Sequence, residues 1–452
     1  MPYIFKWKMK CESGTILLRQ KNMHGRIFMT EIQKSLESYI TAEMDNWDFS
    51  GVVRIIQNGN ILFETCRGFS NIEFCIKNTM ETKFTVASVA KQFTAFAIMI
   101  LHDKGLLQLD EKANRYLPPN MQLPSEITVH HLLSHTSGLH NNYNFEDDFY
   151  VGEDRKPYDR EQFFRNWIIR EPIKKPGKEF EYNNSNYNLL AWIIEYVSEQ
   201  TYDEFLQENI FYKIGMNNTA FDNGLNIISN KASNYMHDYG KLVRVPYTNN
   251  LYSIGAGALV TNCDDLQKWY ECLKNREILS ENAYGIYLSA NKNNYCYGLE
   301  RYEEDRKIKY AHGGDMLGVS AYTQYYFDED ICIIVISNTE SLDQYRFGNG
   351  IAAILHDKQA PVSYRPEEIF LSPEELEKYT GTYLPGKIHI EQKNGKLYLV
   401  RVNQNIHIEL YCVGKDSFKR RYEEQQTIHK LISEGDIKPS VWGYELISKE
   451  FV

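Results

Sequence analysis

Apolar residues recur at helical spacing from about Ile32 to Met44, through Ile32, Leu36 and Ile40, and predict an amphipathic helix. Two β-rich runs follow, Gly51–Gln57 and Ile61–Glu64. They are joined by Asn58-Gly59-Asn60, a hairpin signal because Asn and Gly tolerate the positive φ of a tight turn. The pattern then predicts a helix opening near Ser88, with Phe93, Ala97, Ile100 and Leu101 on its apolar face and Gly105 as its stop. The middle of the chain is mainly helical, with a 3.6-residue period over Tyr187–Ser198 and Tyr202–Ile210. Strand character returns in Ser320–Phe327 and Ile331–Ile336 across the turn Asp328-Glu329-Asp330, before a helix from about Asn349 to His356. Strands early and late with helices between them predict a mixed α/β fold whose sheet is closed by distant segments.

A chain of 452 residues exceeds one ordinary domain, so a large unit and a smaller one are expected. Met29 opens the first clean helical pattern, which marks 1–28 as an extension and 29–358 as the main unit. Pro361, Pro366 and Pro373 in a stretch without periodicity mark 359–373 as a linker. Beyond it, Tyr379–Tyr383, Ile388–Ile390 and Lys396–Val400 read as consecutive short strands, predicting a small antiparallel β-barrel over 374–452.

Composition removes several functions. Hydrophobic residues at 43% and charged residues at 24% are those of a folded globular chain rather than a disordered one. Fifty Lys plus Arg against sixty Asp plus Glu, without a long basic run, give no surface that would track a phosphate backbone, so no nucleic-acid partner is expected. No stretch approaches the roughly 18 apolar residues of a membrane span. Residues 1–21 lack the apolar core of a secretory signal, which predicts a cytoplasmic protein. Eight scattered cysteines show no C-x-x-C and read as free structural thiols.

Ser88-Val89-Ala90-Lys91 has the form S-x-x-K, and two residues three apart at a helix start share a face. The lysine amine can lie beside the hydroxyl, and burial would lower its pKa enough for it to act as a base. Alone, the motif describes a capping serine and a solvated lysine equally well. Two others accompany it. Tyr182-Asn183-Asn184, after Pro176-Gly177, is placed on a loop where a phenol and an amide can face a cleft. His312-Gly313-Gly314 precedes the late strand pair, with glycines that let a substrate approach the backbone.

The order S-x-x-K, Y-x-N, basic-x-G resembles the serine β-lactamase and penicillin-binding superfamily. Tyrosine in the second motif and histidine in the third resemble its branch of class C β-lactamases, DD-carboxypeptidases, D-aminopeptidases and esterases. The segments Phe84–Ala95, Leu132–Leu139, Gly215–Thr219 and Gly255–Thr261 extend the likeness over about 45–355. The resemblance implies a central antiparallel sheet flanked by helices, with a lipocalin-like appendage at the C-terminus. It implies that Ser88 attacks a carbonyl while Lys91 and Tyr182 take its proton and pass it to the leaving group. Asn184 would hold the substrate amide and steady Lys91. His312, where many relatives carry lysine, would bind a carboxylate if protonated or otherwise partner Tyr182. The backbone N–H groups of Ser88 and Asp315 would form the oxyanion hole, and Gly313 and Gly314 would line the substrate site.

No cofactor or metal is expected. His130, His131 and His135 fall in or beside the Leu132–Leu139 segment and read as structural. The acidic residues Glu146 to Asp148, Glu153 and Asp154 lie in an insertion, Tyr143–Tyr158, that is either a solvated loop or a border of the cleft. Three functions stay open: a hydrolase of D-amino-acid-containing peptides or small amides and esters, a slow-turnover acyl-binding sensor, and a β-lactamase or peptidoglycan-remodelling enzyme. Replacement of lysine by His312 ranks the first highest. A small-molecule or peptide substrate is the expected partner, and the oligomeric state stays open.

Overall fold

The computed structural model describes residues 14–16, 20–21, 27–28, 30–141, 155–170, 173–384, 388–401, 405–424, 428–432 and 444–449. A seven-stranded antiparallel sheet lies at its centre. We number its strands β1 (Gly14–Ile16), β2 (Gly51–Gln57), β3 (Asn60–Arg67), β4 (Glu300–Glu304), β5 (Lys307–Met316), β6 (Val319–Tyr326) and β7 (Ile331–Ser337). Their spatial order is β1-β3-β2-β7-β6-β5-β4, so the early hairpin and the late strands meet where β7 pairs with β2, Val335 opposite Val53. The β2–β3 hairpin turns on Asn58 and Gly59, both with positive φ, as the Asn-Gly sequence requires.

Both faces of the sheet are covered, and the period of two along each strand assigns its residues. Val52, Ile56, Ile334 and Ile336 face a large core that includes helices α2 (Lys91–Asp103), α3 (Asn184–Ser198) and α4 (Cys263–Asn275). Val53, Ile55, Ile333 and Val335 face a second core closed by α1 (Glu31–Asn46) and α5 (Gln344–Leu355). α2 is the central helix. Its residues are buried from Lys91 to Leu101, Gln92 and Thr94 included, so the single apolar face expected of it is in fact burial all round. Its polar side chains are matched: Gln92 accepts from Trp269 Nε1 at 2.9 Å and donates to Thr323 at 3.1 Å.

Helix α5 runs from Gln344, earlier than the expected Asn349, because Asp343 caps it by accepting from the Arg346 N–H at 3.0 Å. Beyond it, seven strands between Gly381 and Lys449 form a closed barrel. It departs from a wholly antiparallel design in one pair: Ile428–Ile432 runs parallel to Tyr444–Lys449. The barrel core, with Leu397, Leu399 and Phe418, also takes in Met236 and packs Val243, Val245 and Leu317. Leu317 is the tip of the β5–β6 hairpin, so the C-terminal strands lean on the same hairpin that carries the third motif. Arg346 joins the two parts in ionic form. It bonds Glu43 of α1 and Glu424, just past the barrel strand Ser417–Arg420, and both carboxylates are buried.

Among the described residues no helix is long and apolar enough to cross a membrane. The described cysteines are free. The acidic residues of the insertion lie outside the described residues.

Candidate active site

The turn before α2 sets the geometry. Ser88 lies in a 3-10 turn, Ala87–Ala90, and Lys91 is the first α-helical residue, a shift from the continuous helix expected to open at Ser88. Ala87, just before the serine, has φ +46°, a left-handed conformation that costs a non-glycine residue about 1–2 kcal/mol. The strained turn leaves Ser88 part-exposed at the floor of a cavity of about 1640 Å³ while Ala87, Val89 and Ala90 are buried.

Lys91 is fully buried beneath it. Its Nζ donates to Ser88 Oγ at 2.9 Å, Asn184 Oδ1 at 2.8 Å and the Ala256 carbonyl at 2.8 Å. These acceptors are neutral, so burial acts without an opposing charge and holds the amine well below its ordinary 10.5. A neutral amine keeps two N–H bonds for Asn184 and Ala256 and turns its lone pair to the Ser88 hydroxyl. The same geometry therefore serves both protonation states.

Tyr182 lies on the loop as expected, but Asn184 is the first residue of α3, with Asn183 as its cap accepting the Ser185 N–H. The Tyr182 ring sits 4.9 Å from Lys91 Nζ. Burial pushes its phenol well above the ordinary 10, with a hydrogen bond to Ser88 pulling the other way. It is a neutral proton donor near neutral pH. Ala256 belongs to Gly255-Ala256-Gly257, where a side chain on Gly255 would strike the Tyr187 carbonyl at 2.0 Å, so glycine allows this segment to press between α2 and α3.

His312 lies just ahead of the β6–β7 pair, as expected, and is itself part of strand β5. Burial, and then Lys91, lower its pKa to about 3, so it is neutral. Nδ1 donates to the Gly313 carbonyl at 2.6 Å, which leaves Nε2 as the acceptor for Tyr295 OH at 3.1 Å. As a neutral imidazole it carries no charge for a carboxylate, and its Nε2 hydrogen bond is with Tyr295, while the Tyr182 ring centre is 6.1 Å from its own. Gly314 presses on the backbone leading into Ser88: a Cβ there would sit 2.2 Å from the Val86 carbonyl and 3.1 Å from the Ser88 nitrogen. A Cβ on Gly313 would collide with Tyr345.

Asp315 follows on the same strand, its carboxylate accepting from Gln344 Nε2 at 2.6 Å and Tyr345 OH at 3.2 Å. Desolvation raises its carboxyl to about 6, against the lowering pull of these two hydrogen bonds.

The five side chains read from the motifs thus converge. Tyr295 and the Gln344–Tyr345 pair carried no sequence signal, because each acts through tertiary contact, whereas Ala256 lies in the Gly255–Thr261 segment. His135 carried one, as a member of the Leu132–Leu139 segment. Among the described residues no group of His, Cys, Asp and Glu is arranged to hold a metal ion.

Comparison with known proteins gives the family and the fold. The family described as Beta-lactamase matches residues 36–358. Penicillin-binding protein 4* of Bacillus subtilis (strain 168) is 27% identical over 420 residues, 85% of this chain and 91% of that protein. The structure of a penicillin-binding protein from Bacillus halodurans superposes with a TM-score of 0.61 at 27% identity, covering 70% of this chain and 99% of that one. A D-stereospecific amidohydrolase from Streptomyces shares the fold, with a TM-score of 0.62 at 19% identity over 72% of this chain and 98% of its own.

Proposed function

We infer that this chain, which belongs to the Beta-lactamase family, is a serine hydrolase that forms an acyl-enzyme on Ser88 and acts on peptides, amides or esters of D-amino acids. The observation that carries this reading is the buried Lys91 amine, 2.9 Å from Ser88 Oγ and surrounded by neutral acceptors. Lys91 takes the hydroxyl proton as Ser88 Oγ bonds to the substrate carbonyl carbon. Tyr182 gives its own proton to the departing amine or alcohol and regains one from Lys91. The Ser88 and Asp315 N–H groups are the proposed donors to the oxyanion. Water then attacks the acyl-enzyme by the reverse proton path, releasing the acid. Substrate amide binding to Asn184 and backbone approach at Gly313 and Gly314 complete the proposed site.

Charge narrows the donor. His312 is neutral, and the carboxylates nearest it in the cavity wall, Asp315 and Glu300, are held by neutral donors, Glu300 by Tyr302 OH at 2.6 Å. Of the other cations in the wall, Lys231 pairs with Asp222 and Arg346 with Glu43 and Glu424, Arg244 meets Glu73 only at 3.9 Å, and Arg155 is exposed. A substrate carboxylate beside Ser88 meets acids there, and a free amine is the better match. We expect kcat/KM for a D-alanyl ester or anilide with a free amine to exceed that for a donor ending in D-Ala-D-Ala carboxylate by at least about tenfold, or ~1.4 kcal/mol. Preference for the carboxylate donor, measured side by side, would contradict this choice. We also propose a cytoplasmic location and the 29–358 and 374–452 division of the chain.

A further inference from the structure

We propose that His135 is a positioning residue that fixes the Tyr182 phenol by gripping the peptide units on both sides of it. The His135 carbonyl accepts the Glu181 N–H at 2.9 Å, and its Nδ1 accepts the Asn183 N–H at 3.1 Å. Tyr182 lies between these two bonds. The imidazole itself packs against the Tyr182 ring, centroids 4.5 Å apart, and against Tyr295 at 4.6 Å and Tyr187 at 5.0 Å. His135 therefore touches the phenol ring, the Tyr295 ring that bonds His312, and Tyr187 of α3 at once, yet it does not line the cavity.

Two features show that the residue is placed at a cost. Its φ is +56°, a conformation that L residues rarely adopt. Its Nε2 is buried without a hydrogen-bond partner, although the residue is only 1% exposed. Since Nδ1 accepts, the ring proton sits on that unpartnered Nε2. A buried donor left unmatched is destabilising, so packing alone would favour an apolar ring at this position. What an apolar ring cannot supply is the acceptor for Asn183. Burial, and then the neighbouring Lys91 and His312, hold the imidazole well below its ordinary pKa, and so keep Nδ1 free to accept. The flanking residues extend this grip. Leu139 O accepts from Asn183 Nδ2 at 2.7 Å, and Asn141 Oδ1 accepts from the Asn184 N–H at 3.1 Å. The segment from His135 to Asn141 is thus a bed on which the Tyr182-Asn183-Asn184 backbone is laid, with His135 at the phenol.

This inference rests on Tyr182 being a proton carrier, and its test separates the two. His135→Phe keeps a ring in the pocket and removes the acceptor, whereas His135→Asn keeps an amide at the Nδ1 position. We expect His135→Phe to lower kcat for ester hydrolysis by about a hundredfold, the loss a displacement near 1 Å can cause, with KM changed less than threefold and the thermal midpoint near wild type. His135→Asn restores kcat to within about tenfold of wild type. Combining His135→Phe with Tyr182→Phe should cost no more than Tyr182→Phe alone, because both act through one phenol. Should His135→Phe fold poorly, His135→Asn against His135→Gln gives the same comparison, since the Gln amide lies one methylene too far. Wild-type kcat in His135→Phe, equal kcat in the Asn and Gln variants, or multiplicative losses in the double variant would overturn the proposal. Failure of wild type to label at Ser88 would instead overturn the hydrolase reading beneath it.

Discussion

Lys91→Met lowers turnover of every acyl donor by at least about a thousandfold, within the range by which a positioned general base accelerates proton transfer. Methionine fills the same buried space, so the loss is of the amine and not of the helix. The sign with pH follows from the same burial. The amine is active as its free base, and its pKa in the folded protein lies well below 10.5. Activity is therefore present above that depressed value and is lost as pH falls through it. His312 adds no limb near 6.5, because its pKa lies at about 3. Steady-state kinetics across pH on wild type and variant check both statements. A Lys91→Met enzyme within tenfold of wild type would mean that another group deprotonates Ser88.

Arg346→Met destabilises the protein by about 3–5 kcal/mol, the cost of leaving a buried charge without its partner. Arg346 donates to Glu43 Oε1 and Glu424 Oε2, each at 2.9 Å. Glu43 is fully buried and Glu424 nearly so. Glu43 also accepts the Ser363 N–H at 2.7 Å, so α1, α5, the 359–373 stretch and the barrel share one ionic knot. Denaturant unfolding should show the first transition at a lower midpoint in the variant. By contrast, the Lys358 pairs with Glu304 and Asp305 are open to solvent, and Lys358→Met should change the midpoint little. A variant of Arg346 as stable as wild type would mean that α1 and the barrel are held by their apolar contacts alone.

The central sheet was legible where pattern and turn chemistry agreed. Asn58-Gly59 set the first hairpin, and two strand-rich runs across the Asp328-Glu329-Asp330 turn set the late pair. The exact ends of helices were less so. A 3-10 turn at Ser88 cannot be told from the α-helix after it by apolar spacing, since both place residues three apart on one side. The glycines after His312 read as sites of close backbone approach, and within β5 they admit Val86 and Tyr345 at close range, a strand that the apolar pattern did not reveal. The five motif side chains were readable because short spacing fixes Ser88 to Lys91 and Tyr182 to Asn184. Tyr295 and Gln344 were not, since they reach the site only through the packing of distant segments, and Ala256 was visible only as part of the Gly255–Thr261 segment. Protonation states were least readable of all: the neutrality of His312 depends on burial and on Lys91, neither of which a motif encodes.

Intact-mass spectrometry of wild type and Ser88→Ala after exposure to a fluorophosphonate tests the central claim most directly. The expected result is one phosphonyl adduct on wild type, none on Ser88→Ala, and, with a D-alanyl ester, a Ser88-dependent acyl adduct that decays as acid is released. Equal labelling of wild type and Ser88→Ala would contradict the assignment of Ser88 as the nucleophile.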